Sequence, residues 1–264
     1  MSGTFPSNSM SRIDLNADLG ESFGPWPMGT DEALMTSISS ANIACGFHAG
    51  DPSVMRRTVA LAKLNGVAVG AHPGFPDLVG FGRRELSASP EEVTDMVLYQ
   101  VAALAGVAAS QGVRLQHVKA HGALYNMAVR SRELADAIAK GTAAFDRSLI
   151  LFGLPGSELL SAGERAGLRV AAEVFADRAY ESDGTLVART RPGSVIHDKN
   201  EVVSRAVRMV RDRVVATIDG SMVQLRADTI CVHGDTPGAA DLARHVRRGL
   251  EAAGITVGPL LTNL

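Results

Sequence analysis

"ANIACGFHAGDP", residues 41–52, reads as a buried strand that stops, a turn, and a helix that starts. Ala41–Cys45 is largely apolar, as expected of a strand covered on both faces. Gly46 and Gly50 bracket the turn. Asp51 followed by Pro52 is the signature of a helix cap and first turn. A strand that runs into a capped helix in a dozen residues is half of a βα unit, and such units build parallel sheets. The polar groups of the stretch, above all His48, fall where the strand ends.

The same pattern repeats outward in both directions. Strands are predicted over 13–19, 41–45, 67–72, 115–121, 149–154, 169–176 and 229–234. Helical periodicity fills the gaps, most clearly over 51–66, which ends on Gly66, and over 89–112, which opens Ser89-Pro90. Seven strands alternating with helices predict an α/β fold with a parallel sheet and helices outside it. Periodicity alone does not separate a closed (β/α) barrel from an open doubly wound sheet. The segment 184–198 departs from the pattern and is expected to be a hairpin around Pro192-Gly193. No linker divides the chain, so one domain is expected over 12–264, after a disordered polar tail over 1–11.

Composition narrows the function. The 264 residues are 46% apolar and 20% charged, with a net charge of -2. That balance gives no electrostatic footprint for nucleic acid or an anionic membrane. Two cysteines make no disulfide framework, and the start carries no apolar signal core, so a cytoplasmic protein is expected.

Chemistry collects at the strand ends. Asp14, Asn16 and Asp18 share one face of the first strand, with Glu21 just beyond. His48 follows the second strand, His72 ends the third, and Lys119 and His121 end the fourth. Glu173 lies on the sixth, followed by Asp177 and Arg178, and the seventh leads to His233 and Asp235. In a parallel α/β protein all these ends lie on one face, where active sites are assembled. Each residue alone has a plain structural role: Asp51 caps a helix, Cys45 fills core, and Lys119 pairs with Asp14, Asp18 or Glu173. The aggregate points to catalysis. Asp18, His48, Lys119, His121, Glu173 and His233 are the candidate catalytic residues. Asp14, Asn16, His72, Arg83, Arg178 and Asp235 are candidates for binding substrate.

The set suits general acid–base work on an amide or ester carbonyl, with Lys119 or a backbone N–H steadying an oxyanion. HExxH, CxxC and HxH spacings are absent, which weighs against a metal; Asp18, His72 and His121 would be the residues to hold one. A phosphate loop, a dinucleotide fingerprint and a GxSxG elbow are also absent.

The blocks "DLNADLGESFG" (14–24), "ANIACGFHAGDP" (41–52), "GAHPGFPDLVGFGRR" (70–84), "VKAHGALYN" (118–126), "EVFADRAY" (173–180) and "CVHGDTPGA" (231–239) occur in this order. Together they resemble the LamB/YcsF family. The resemblance implies an irregular seven-stranded (β/α) barrel related to sugar hydrolases and polysaccharide deacetylases. It also implies ATP-dependent opening of the 5-oxoproline (pyroglutamate) lactam to L-glutamate, with Mg2+, as the A subunit of a 5-oxoprolinase beside partner subunits B and C. One departure is visible: Ala120 stands where the family usually has proline. Two rival readings are a stand-alone metal-dependent amidohydrolase or deacetylase, and a non-catalytic, ligand-binding member of such a complex. All three readings are compatible with a homodimer.

Overall fold

The wall of the molecule is a ring of seven parallel strands. The computed structural model describes residues 11–232 and 238–260. In chain order the elements are β1 (Arg12–Leu19), α1 (Asp31–Met35), β2 (Ser40–Ala44), α2 (Pro52–Asn65), β3 (Ala68–His72), α3 (Pro90–Ala109) and β4 (Leu115–Val118). There follow α4 (Gly122–Ala128), α5 (Arg132–Phe145), β5 (Ile150–Gly153), α6 (Glu158–Arg165), β6 (Arg169–Phe175) and α7 (Lys199–Arg211). The last are β7 (Val214–Ala216), β8 (Met222–Gln224), β9 (Thr229–Val232), α8 (Ala239–Ala252) and β10 (Thr256–Val257). Strands β1 to β6 pair in sequence, β9 pairs β6, and β9 closes the ring on β1. The closed barrel, rather than an open sheet, is the architecture. β10 adds to the N-terminal end of β1, at the floor.

The βα unit of the opening stretch forms as its residues dictate. Asp51 Oδ1 accepts from the N–H groups of Ser53 and Val54, Pro52 occupies the first turn, and Gly66 ends α2 in the left-handed region at φ 65°. Helix α3 carries a full capping box between Ser89 and Glu92. It is the one helix among the described residues long and apolar enough to cross a bilayer by composition. Its Val93, Val97, Val101, Leu104 and Ala108 are buried in the core between helices and barrel.

The barrel interior differs from the branched apolar filling usual for such folds. One side is apolar: Ile150, Phe152 and Ala171 form a cluster of their own, against which Leu260 packs at the floor. The rest is a layered polar network. Asp14 accepts hydrogen bonds from Ser39, Ser40 and Thr229. Above it Asn16 donates to Thr229 and accepts from Asn42, which also donates to Asp18. His117 Nε2 lies 2.7 Å from Asn42 Oδ1, with its ring stacked on Phe152 at 4.2 Å. Gly70 is required here, because a Cβ at that position would lie 2.1 Å from His117 Nε2.

The segment 184–198 is not a hairpin. Its backbone groups pair with the chain after β6 instead: Val187 N–H donates to Ala179, Ala179 N–H to Ser194, and Ile196 N–H to Asp177. Among the named strands of the described residues, the antiparallel pair is β7–β8, turning at Asp219-Gly220 with Gly220 at φ 86°. An Asp-Gly turn between alternating strands is the stronger hairpin signal, and it lies outside the segment singled out from sequence.

Candidate active site at the barrel mouth

The carboxyl ends of β1, β2, β3, β4 and β6 bring six of the sequence candidates together, and β9 adds Cys231. Lys119, one residue past β4, is buried and projects its ammonium between two acids. Nζ lies 2.8 Å from Asp18 Oδ1, 2.9 Å from Glu173 Oε1 and 3.1 Å from Cys231 Sγ. Burial works against the charged lysine, but Asp18, Cys231 and Glu173 beside it hold its pKa well above the ordinary value. Burial likewise pushes the Asp18 carboxyl up, and His72 and Lys119 outweigh it, leaving the group well below the usual carboxylate range. Burial raises the Cys231 thiol despite the neighbouring lysine. The centre therefore sets a cation beside an ionised Asp18 and a neutral thiol, with Glu173 against the lysine from the other side. Asp18, with its side chain 15% exposed, is the member open to solvent; Lys119 is at 4% and Glu173 at 0%.

Three histidines stand beside this centre. His72 Nδ1 is 2.7 Å from the carbonyl of Lys119, and its Nε2 is 3.5 Å from Asp18 Oδ2. His121 Nε2 is 2.8 Å from the carbonyl of Phe81, and its Nδ1 is 3.0 Å from His72 Nε2. His48 is stacked on His121 with centroids 3.7 Å apart. Glu21 reaches in from the loop after β1, 3.7 Å from His121 Nδ1 and 4.0 Å from His48 Nε2. Glu21, His48, His72 and His121 can each offer one ligand atom, all within 4.8 Å of one another, so these residues could hold a metal ion. The loop over 73–84 closes the group from above. Phe81 in that loop adopts φ 54°, a costly conformation for a non-glycine residue, and its ring packs edge-on to His48 and His121.

The other candidates lie elsewhere. Asp14 and Asn16 sit beneath the site in the barrel interior, with their polar atoms engaged there. Arg178 donates to the carbonyls of Ser194 and Val187, tying down the segment after β6. Arg83 is exposed, with its guanidinium over the Phe81 ring on the covering loop. His233 and Asp235 lie outside the described residues. Sequence reasoning noted Glu21 beside the first strand end but gave no site role to it, to Cys231 or to Tyr125. The phenol of Tyr125 is raised well above its ordinary value by burial and by Glu173. Glu21 sits on a loop, without strand periodicity to reveal its direction. Cys231 faces inward from β9, two residues after Thr229, by the alternation that places Asp18 above Asn16.

Buried histidines make stability depend on pH. Burial lowers both His117 and His121 to about 3 from an ordinary 6.5, with Lys119 adding to the effect at His117 and His72 at His121. The folded chain thus keeps these rings neutral where the unfolded chain protonates them. Stability is full above pH 6.5 and is lost on acidification toward 3, by up to about 1.4 kcal/mol per pH unit for each such ring. Urea midpoints should fall steadily from pH 7 to 5; a flat profile would show that the rings charge within the fold.

Known proteins match this chain closely. The model of the LamB/YcsF family matches residues 13–264. A relative from Pyrococcus abyssi that bears the name of the 5-oxoprolinase A subunit is 57% identical over 94% of this chain and 98% of its own length. Its namesake in Bacillus licheniformis is 56% identical, with the same coverage. The crystal structure of a lactam utilization protein from Thermus thermophilus is 51% identical and superposes with a TM-score of 0.91, covering 94% of this chain and all of that one. By its residues, its barrel and these relatives, the chain belongs to the LamB/YcsF family.

Proposed function

We propose that this chain is the ring-opening A subunit of an ATP-dependent 5-oxoprolinase, which converts the 5-oxoproline lactam to L-glutamate together with partner subunits B and C. The observation that carries the reading is the buried Lys119 between Asp18 and Glu173 at the mouth of the barrel, in a chain whose relatives bear that name at 56–57% identity.

A five-membered lactam is a resonance-stabilised amide. Opening it needs charge stabilisation on the oxygen and a proton delivered to the nitrogen. Lys119 is held charged and desolvated, so it can steady the developing oxyanion far better than a solvated lysine. Asp18, ionised and facing the opening, is placed to take a proton from attacking water. Asp18, once protonated, can return that proton to the leaving nitrogen. ATP, with Mg2+, supplies activation of the lactam oxygen and drives the equilibrium. The chain carries no phosphate-loop motif, which supports a nucleotide site on one of the partners. The loops after β1 and β3 each expose a large apolar side chain, Trp26 (70%) and Val79 (92%), that a partner could cover. Two buried, unbridged cysteines fit a cytoplasmic setting.

The test is glutamate release from 5-oxoproline by the purified chain mixed with subunits B and C. Release is expected when the chain, both partners and ATP are all present, and should stop when any one is omitted. Failure in every combination would overturn the reading.

A further inference from the structure

The geometry points to a metal site beside the lysine centre: Glu21, His48, His72 and His121 bind one divalent transition-metal ion of the zinc class. The hydrogen bonds of the rings carry this. A carbonyl oxygen only accepts, so His72 Nδ1, at 2.7 Å from the Lys119 carbonyl, bears a hydrogen. The same holds for His121 Nε2, at 2.8 Å from the Phe81 carbonyl. The remaining nitrogens, His72 Nε2 and His121 Nδ1, face each other across 3.0 Å, so a hydrogen or a cation must lie between them. With His48 and Glu21 they form a group whose ligand atoms all lie within 4.8 Å of one another, and one cation serves the whole group. Donation of the second ring N–H to a backbone carbonyl is the arrangement that orients metal-bound histidines.

His48 supplies an independent observation. It is 1% exposed, and neither of its ring nitrogens has a hydrogen-bond partner. A buried imidazole without a partner is costly. Glycines make room for it: a Cβ at Gly74 would lie 2.7 Å from its Nδ1, and one at Gly82 would lie 2.8 Å from its Cβ. The Glu21 oxygen completes the set at 3.7 Å from His121 Nδ1 and 4.0 Å from His48 Nε2. Zinc–nitrogen bonds of about 2.0–2.1 Å set tetrahedral ligand atoms about 3.3–3.4 Å apart, within the span of these separations. Three imidazoles and one carboxylate suit zinc rather than magnesium or calcium. Loading requires the His48 ring to tilt from its parallel stack on His121, because a bound ion lies near the plane of each imidazole.

The site is tested on the isolated full chain, so its outcome is separate from that of the lactam assay. Chelator-treated protein is titrated with Zn2+ by calorimetry, and a parallel sample with Co2+ is followed by visible absorption. One equivalent of Zn2+ and the visible bands of a four-coordinate Co2+ centre are expected. His72→Gln, His121→Gln and Glu21→Gln should each weaken binding by at least about 100-fold, the upper range seen for loss of a mere outer-shell partner. His197→Ala and His245→Ala, at exposed rings, should bind as the parent does. An extra proton between His72, Asp18 and His121 would also satisfy the facing nitrogens. Absence of Zn2+ binding in the folded parent chain would identify that proton and overturn the proposal, as would unchanged affinity in folded His72 and His121 variants.

Discussion

Replacing Lys119 by methionine is expected to lower glutamate release by the reconstituted complex about 10²- to 10³-fold, the usual cost of removing one oxyanion donor. Stability should suffer as well. Lys119 is the shared partner of Asp18 and Glu173, at 2.8 and 2.9 Å, and Glu173 is fully buried. Removing the lysine leaves a buried carboxylate uncompensated, at a cost of about 3–5 kcal/mol. The variant should therefore melt earlier and turn over slowly. Activity assays must be run below its melting temperature, with circular dichroism to confirm the fold. A stable, fully active Lys119→Met chain would contradict both halves of the account.

The second large effect separates charge from shape. Asp18→Asn keeps an oxygen to accept from Asn42 and Lys119. It also leaves Lys119 with Glu173 as a single balancing charge. The melting temperature should thus move far less than in Lys119→Met. Turnover should still fall about 10²- to 10⁴-fold, because the amide is no base. The loss belongs in kcat, since Asp18 acts on the attacking water. A rise in KM with unchanged kcat would instead make Asp18 a binding group.

How far these residues could be read from sequence differs along the chain. The strand–turn–helix units were legible because Asp51-Pro52 and Ser89-Pro90 sign the start of a helix locally, whatever the rest of the chain does. Closure of the sheet was not legible. It depends on β9 pairing with β1, a contact between residues more than two hundred positions apart, which periodicity does not encode. The strand-end rule located Asp18, His72, Lys119, His121 and Glu173, because side-chain direction in a strand alternates strictly. It over-reached at Asp14 and Asn16, which share the face of Asp18 but lie deeper, where the network of Ser39, Ser40, Asn42 and Thr229 absorbs them. Arg178 looked like a substrate clamp and instead clamps the chain's own carbonyls. Glu21 was noted beyond the first strand but given no role, because its place depends on how a loop turns back over the mouth. The histidines explain why spacing weighed against a metal: the ligand set comes from separate strand ends, so no short motif announces it.

The most direct test of the Lys119 centre as the site of chemistry is glutamate release by a complex carrying Lys119→Met together with Glu173→Gln. The second change removes the buried charge that the first leaves unpaired, so the double variant should recover much of the parent's melting temperature. The account predicts that this well-folded chain still releases glutamate at least about 100-fold more slowly than the parent, because the oxyanion donor is gone. Parent-rate turnover by the folded double variant would contradict it and move the chemistry away from this centre.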